Sequence, residues 1–118
     1  MPQFRFHAEN LAVGGTNANV MAGSAFEFLR APARVTVRAT TDGVTTTPPT
    51  ALVQFGSEVQ FETGPIPVER SARQGPTADD RPLADDVADA GDRLVVRVTN
   101  ADSVVREIDV VVEITYLA

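Results

Sequence analysis

Residues 93–117 read RLVVRVTNADSVVREIDVVVEITYL, and this stretch decides the fold. Apolar residues occupy every second position on both sides of the polar segment 100–103, which is typical of two strands that each bury one face. Because Asn, Asp and Ser between the two runs favour a turn, we predict an antiparallel hairpin. The second run, Val104 to Leu117, would extend for roughly 45 Å at about 3.3 Å per residue, longer than most strands in small domains. Its predicted buried residues are Ile108, Val110, Val112, Ile114 and Tyr116.

Four residues of these and neighbouring strands are candidates for an interface with other molecules. Arg106 falls on the inward-facing phase of its strand, which predicts either a β-bulge there or a contact beyond the core. Leu52, Val95 and Val111 are apolar residues outside the core-facing phase. We therefore predict that these three side chains are exposed and able to meet another subunit.

The same alternation recurs upstream. It is clearest where Phe4 and Phe6 share one face and in the run from Ala33 to Thr41. Gly56-Ser57 interrupts the next run and predicts a bulge or kink within a single strand. Further predicted strands lie at 19–30, read as one bent strand or two short ones, and at 51–62. Together these patterns predict an all-β fold, an antiparallel, jelly-roll-like β-sandwich of about eight strands in one domain spanning residues 1–118.

The segment from Ser71 to Asp92 breaks the pattern. Ser, Gly, Pro and Asp dominate it, and loops of this length in a compact domain tend to be mobile or functional. Within it, Leu83 to Ala90 is predicted to form a helical turn or two, with Gly91 in position to end it.

Composition excludes several classes of function. The 118 residues include no cysteine, so disulfides, thiolate metal sites and a cysteine nucleophile are excluded. The formal net charge of −6 and the lack of a basic arm disfavour nucleic acid as a partner. No stretch is long enough to span a bilayer and no secretory signal is evident at the start, so we expect no membrane partner, and a location in a virion or in the cytoplasm before assembly. All ten cationic residues are arginine, which fits either the codon bias of a GC-rich genome or a preference for protein interfaces.

No catalytic constellation is recognisable. His7 is the only histidine, in a predicted strand on the face opposite Phe4 and Phe6, where an ordinary surface position explains it. A Ser-His-Asp triad would depend on His7, and neither a G-x-S-x-G motif nor a phosphate-binding glycine loop is present. We therefore expect a protein that is not an enzyme, with no catalytic residues and no bound organic cofactor.

Aspartates in the irregular segment are the one candidate for ligand chemistry. Hard cations such as calcium take several carboxylate and carbonyl oxygens together, whereas aspartates also cap short helices and solvate loops. Their spacing does not match an EF-hand loop. The weak calcium candidates are Asp85, Asp86, Asp89 and Asp92.

Residues 88–100, ADAGDRLVVRVTN, followed by the long valine-rich closing strand, resemble small jelly-roll virion proteins of bacterial viruses. The resemblance covers most of the chain in strand order but carries no diagnostic motif and no transferable site. It implies a capsid or decoration protein whose function lies in subunit contacts, with copies of itself and other virion proteins as partners. The acidic balance departs from capsid proteins that line a genome. A second hypothesis is a ligand-binding or adhesion-type β-sandwich module, calcium-assisted, that uses the segment 71–92.

Overall fold

The computed structural model describes residues 3–70, 75–77 and 80–117, with the side chains of residues 7–10 excepted. This part of the chain contains strands, turns and loops but no helix, so it has no helix that could cross a membrane. Its strands are β1 (Gln3–Leu11), β2 (Thr16–Asn17), β3 (Ala33–Thr41), β4 (Thr50–Phe55), β5 (Glu58–Pro65), β6 (Ala84–Ala88), β7 (Leu94–Thr99) and β8 (Arg106–Tyr116).

The strands form two four-stranded antiparallel sheets. Sheet A has the order β1-β8-β3-β6 and sheet B the order β2-β7-β4-β5. First pairs with last, second with seventh, third with sixth and fourth with fifth. This nested pairing is the double Greek key of a jelly roll. The predicted fold class is therefore confirmed. The predicted hairpin between the last two strands is wrong, because β7 and β8 lie in different sheets: β7 pairs with β2 and β4, whereas β8 pairs with β1 and β3. The connection 100–105 therefore crosses from one sheet to the other.

Alternating residues of the two sheets build the core between them. In sheet A, Val35 lies opposite Ile114, and in sheet B, Val53 lies opposite Val96; all four are at most 1% exposed. Met21 and Ile66, which lie outside the strands, are also fully buried. The loops therefore close the core where the two sheets leave it open.

Residues 19–30 do not form the predicted strand. They run along β7 as a series of turns, with one isolated bridge between Phe28 and Arg93. The buried Asn19 side chain explains the difference, because its Oδ1 accepts hydrogen bonds from the Met21 and Val96 amides (3.0 and 3.1 Å) and its Nδ2 donates to the Leu94 carbonyl. The Asn19 side chain thus supplements the few backbone hydrogen bonds that join this segment to β7 and the residues before it.

The helical turn predicted within Leu83–Ala90 is wrong, because this stretch contains the edge strand β6. It pairs with β3 from Ala33 to Val37, and Ala84 and Ala88 fill core positions at 6% and 1% exposure. Tertiary pairing therefore overrides the weak local preference of the sequence. Residues 71–74 and 78–79 of the predicted loop lie outside the described residues.

Gly56 and Ser57 form the turn of a β4–β5 hairpin rather than the predicted bulge inside one strand. Phe55 pairs with Glu58 across them. Gly56 has a φ of 60°, and a positive φ at the first of two turn residues is what a type II′ hairpin turn requires. A Cβ at Gly56 would lie 2.8 Å from Asp92 Oδ1.

We expect Gly56→Ala to lower the free energy of unfolding by about 2 kcal/mol, since it adds a left-handed alanine and displaces Asp92 from the Asp89 amide that it accepts from at 2.9 Å. Gly91→Ala is the matched control: its φ is 86°, but a Cβ there would meet nothing within 4 Å. Urea unfolding should give the smaller loss for Gly91→Ala. Equal losses would show that the Asp92 contact contributes nothing.

Candidate interaction surface

Because successive strands run in opposite directions, every second connection lies at the same end of the sandwich, which we call the loop end. These are the β1–β2, β3–β4, β5–β6 and β7–β8 connections; the described residues of these connections are 12–15, 42–49, 66–70, 75–77, 80–83 and 100–105. In a jelly roll these connections are far apart in sequence but adjacent in space, because of the nested pairing of the strands. Hydrogen bonds made by Asp102 and Asn100 join three of these connections to one another.

Asp102 joins two of these connections. Its carboxylate, fully buried, accepts hydrogen bonds from the Thr45 and Thr46 amides at 2.8 and 2.9 Å and from Arg106 Nε at 2.9 Å. Burial acts most strongly and raises the pKa of Asp102, but these bonds and one from the Ser103 amide outweigh it and hold the pKa far below its usual range. Asp102 is therefore ionised and fixes residues 45–47 to the β7–β8 connection.

Asn100 joins a third connection. It is fully buried, and its Nδ2 donates to the Leu11 and Val104 carbonyls at 2.8 and 2.9 Å. Its backbone pairs with the β1–β2 connection, since its carbonyl accepts from the Gly14 amide and its amide donates to the Gly15 carbonyl, both at 2.9 Å. Buried polar groups satisfied in this way make a rigid loop arrangement.

Four exposed valines lie on these three connections, and a fifth, Val68, lies on the β5–β6 connection. They lie along one end of sheet A, across its strands. Val13 follows β1, Val104 and Val105 precede β8, Val44 follows β3, and Val68 makes a parallel bridge with Thr41 of β3. At a strand spacing of about 4.8 Å, four such positions extend over roughly 15 Å. We call this set the valine end: Val13, Val44, Val68, Val104 and Val105, 40–56% exposed.

Sequence reasoning missed the valine end. A signal was present, because Val13, Val44 and Val68 lie next to the turn-forming residues Gly14, Gly43 and Pro67. A valine next to a turn residue lies outside the strands, so the alternation that buries every second strand residue does not apply to it. Exposed apolar residues grouped on one surface mark interaction sites in soluble proteins.

Arg106 lies at the base of the loop end. It is on the inward phase, as its position in the sequence indicates, and its partner strand β1 shifts register between Ala8 and Leu11 close to it. Its side chain is only 14% exposed and contacts Asp102 and, at 3.6 Å, Asp42. Arg106 thus supports the connections that carry the valines, and its assignment to an interface stays a prediction.

Leu52 and Val95 lie on the outer face of sheet B. Both are half-buried; Leu52 is opposite Arg97 and Val95 is opposite Gln54. Val59, 49% exposed, pairs with Gln54 from the other side. Leu52 and Val95 are thus only partly exposed, and their assignment to an interface stays a prediction.

The predicted exposure of Val111 is wrong, because Val111 is only 5% exposed. It lies on the outer face of sheet A between Arg5 and Arg38. The β5–β6 connection crosses this face: Arg38 Nε donates to the Asp80 carbonyl at 3.0 Å, and a Cβ on Gly75 would lie 2.5 Å from Arg5 Nη2. Val111 is therefore covered by its own chain.

The calcium candidates do not converge. Asp85 accepts two hydrogen bonds from Arg34, both at 2.8 Å, which together with a bond from Thr36 lower its pKa. Asp86 accepts from the Val87 amide, and Asp92 from the Asp89 amide. Among the described residues, no three acidic or histidine side chains are grouped to hold a metal ion. Calcium binding by these four aspartates stays a prediction.

A shallow groove of about 540 Å³ lies where β5 ends and residues 81–83 approach it. It is mostly apolar, with one cation. The sequence does not indicate it, because its sides come from segments far apart in the chain. The described residues that line it are Phe61, Pro65, Pro67, Arg81, Pro82 and Leu83.

Comparison with protein-family models, with curated protein sequences and with solved structures gives no match to this chain. His7 lies in β1, and its side chain is outside the described residues.

Proposed function

We propose that this chain is a structural protein that assembles with copies of itself, most concretely as a capsid or capsid-associated decoration subunit of a bacterial virus. The observation that carries the proposal is the valine end, five exposed apolar side chains, four of which lie on connections that Asn100 and Asp102 hold in place. A rigid apolar surface associates with little loss of conformational entropy. A chemically active cleft is not required for such a role.

Composition, rather than the fold, favours this proposal over a sugar-binding one. Jelly rolls serve in viral capsids, lectins and cupins. Sugar recognition depends heavily on aromatic side chains, but the chain has no tryptophan and one tyrosine. The ring of that tyrosine, Tyr116, lies under the Arg30 guanidinium at 4.8 Å.

Charge distribution supports contact with protein rather than with a genome. Three arginines near the outer face of sheet A form ion pairs: Arg34 with Asp85, Arg38 with Glu113 and Arg70 with Asp80. Paired cations attract phosphate weakly, because binding to nucleic acid depends on uncompensated positive charge. The subunit is thus suited to a shell or its decoration, without direct genome contact.

Charged substitutions at the valine end test the proposal. We expect Val13→Asp combined with Val105→Asp to weaken self-association by about a hundredfold or more, because two valines lose their apolar burial and two carboxylates must be desolvated. Val87→Asp is the matched control, since Val87 is 50% exposed but lies in β6, away from the loop end. Sedimentation velocity combined with negative-stain electron microscopy measures the effect.

Circular dichroism should show the same fold for wild type, the double variant and Val87→Asp. Wild-type protein that stays monomeric at high concentration, with no particles in the microscope, would refute the proposed function. If Val87→Asp weakened self-association equally, the valine end would not be the surface through which the subunits associate.

The groove favours the alternative function, a ligand-binding or adhesion-type module. Its apolar lining and the guanidinium of Arg81 suit a partner that is apolar with one negative charge.

Deleting residues 71–92 would be a poor test of this alternative, because the deletion removes β6. Melting the intact protein with and without millimolar calcium is better: a raised melting temperature would support the calcium-assisted form of this alternative.

A further inference from the structure

Each sheet of a sandwich has two edges whose backbone groups can pair with another chain, so open-sheet proteins block them. The β2 edge of sheet B is blocked by residues 16–29, which cover β7: the Val20 amide donates to the Val96 carbonyl, and the Leu94 amide donates to the Glu27 carbonyl. This covering segment consists largely of turns and offers no regular ladder outward.

The β5 edge of sheet B is irregular. Its register against β4 shifts twice, Thr63 has a φ of 29°, and Pro65 has no amide hydrogen to donate. Bulges and proline both prevent pairing along an edge. A second copy would meet no regular strand here.

The β6 edge of sheet A is short and acidic. Asp86 lies opposite Val35, at a core-facing position, yet its side chain is exposed at the margin of the sandwich. A charge placed on the inward face of an edge strand opposes pairing, because pairing would bury it. β6 is therefore protected.

The β1 edge carries one such device, a register shift between Ala8 and Leu11, but the stretch before it carries none. Gln3 to Ala8 pair with β8 without a break in register, and no proline or glycine occurs in β1. Arg5 does not guard the edge either: its Nη2 and Asp109 Oδ2 lie 2.5 and 3.0 Å from the Cβ position of Gly75, which places the guanidinium over the sheet. Within the described residues, β1 is the open edge of the molecule.

We infer that the β1 edge pairs antiparallel with β1 of a second copy, joining two A sheets into one. This inference rests on the proposed self-association and specifies one of its contacts. A second copy is the occupant because a two-fold axis at this edge brings each row of amide and carbonyl groups against an identical row.

The core-facing side of β1 supports the same occupant. Phe4 and Phe6 pack on the core but remain partly exposed. Any antiparallel register that keeps the faces matched sets these apolar positions opposite one another. Pairing therefore covers apolar surface that one subunit leaves open.

The size of this contact explains why the valine end is also needed. The unbroken stretch Gln3–Ala8 is about 20 Å long, and a single pair of such strands buries less than the roughly 1,200 Å² of a standard stable interface. Two weak contacts at different surfaces, one with two-fold symmetry, suffice to build an extended assembly because each subunit is held more than once.

Single cysteines test the β1 pairing, because the natural chain has none. In a two-fold pair of β1 strands, the residue on the axis lies opposite the same residue of the second copy. The Cα atoms of these two residues are then within disulfide distance. Arg5→Cys, Phe6→Cys and His7→Cys test three residues on which the axis can lie. The matched controls are Val59→Cys in β5 and Val87→Cys in β6, which are 49% and 50% exposed. Each variant is oxidised at low concentration and run on a non-reducing gel.

We expect disulfide-linked dimer as the main product of at least one β1 variant, and monomer for both controls. Equal dimer in the controls, or none in any β1 variant, would overturn the inference. The outcomes for the two proposals are separate: particles of wild-type protein without β1 cross-linking would refute this contact alone, whereas wild-type protein that forms no assembly would refute the proposed function.

Discussion

Replacing Asp102 by alanine is expected to lower the melting temperature by about 10 °C or more. The substitution removes the acceptor for the Thr45 and Thr46 amides and for Arg106 Nε at once. The carboxylate itself is fully buried, and without it Arg106, 14% exposed, keeps only Asp42 at 3.6 Å as a charge partner. Hydrogen bonds to a charged group contribute more than those between neutral groups, so losing three together is costly. Differential scanning calorimetry of the two proteins measures the change.

Asp42→Ala is the matched control for this substitution. Asp42 contacts the same arginine, at 3.6 Å, but its side chain is 38% exposed, so water can replace it. A loss comparable with that of Asp102→Ala would show that burial of Asp102 is not what matters.

The stability that depends on Asp102 should vanish in acid. Its pKa is lower in the folded chain than the value of about 3.9 in an unfolded one, so folding favours the ionised form. The contribution is therefore fully present above about pH 4 and falls as the pH drops below that value. We expect the difference in melting temperature between wild type and Asp102→Asn to be constant from neutral pH to about pH 5 and to shrink below pH 4.

Two other carboxylates, Glu27 and Asp85, also have lowered pKa values, but they contribute equally to wild type and Asp102→Asn. Their effects therefore cancel in the difference in melting temperature. The pKa of Glu27 is lowered by a hydrogen bond from the Gly23 amide and by Arg93, and that of Asp85 by Arg34. A difference that grows toward low pH would contradict the assignment of an ionised Asp102.

Val111→Lys is expected to lower the free energy of unfolding by about 3 kcal/mol or more. Val111 is buried beneath the β5–β6 connection and lies between Arg5 and Arg38, so a lysine there loses its hydration and meets two like charges. Urea unfolding measures the loss.

Val87→Lys is the control, because Val87 is on the same outer face of sheet A and is 50% exposed. We expect a change within about 0.5 kcal/mol for this variant. If Val111→Lys were equally mild, the β5–β6 connection would not cover sheet A in solution.

Period-two alternation was sufficient to predict most of the sandwich. The phases of β3, β7 and β8 follow directly from which residues are apolar, and Val35, Val96 and Ile114 are buried as that pattern indicates. The fold class followed because many short strands without helices can bury their faces only against one another.

Features that depend on tertiary partners could not be predicted in this way. β6 is a strand because the edge of β3 needs a partner and Ala84 and Ala88 fit the core, although the local sequence favours a loop or helix. Asn19 supports a segment of turns by side-chain hydrogen bonds, and Val111 is covered by a segment 30 residues away or more. Alternation reports which way a side chain points, but not what lies beyond it.

The position of β8 has a consequence for how the protein is made. β8 lies between β1 and β3 in sheet A, so a ribosome must release residues 106–116 before two strands synthesised much earlier can be joined. Pairings between such distant segments form slowly, in milliseconds to seconds. Asn100 and Asp102 lie just before β8, so the valine end and the β1 edge form only after β8 has been synthesised. Chains in which β8 has not yet paired would consequently lack the two surfaces through which we propose that subunits associate.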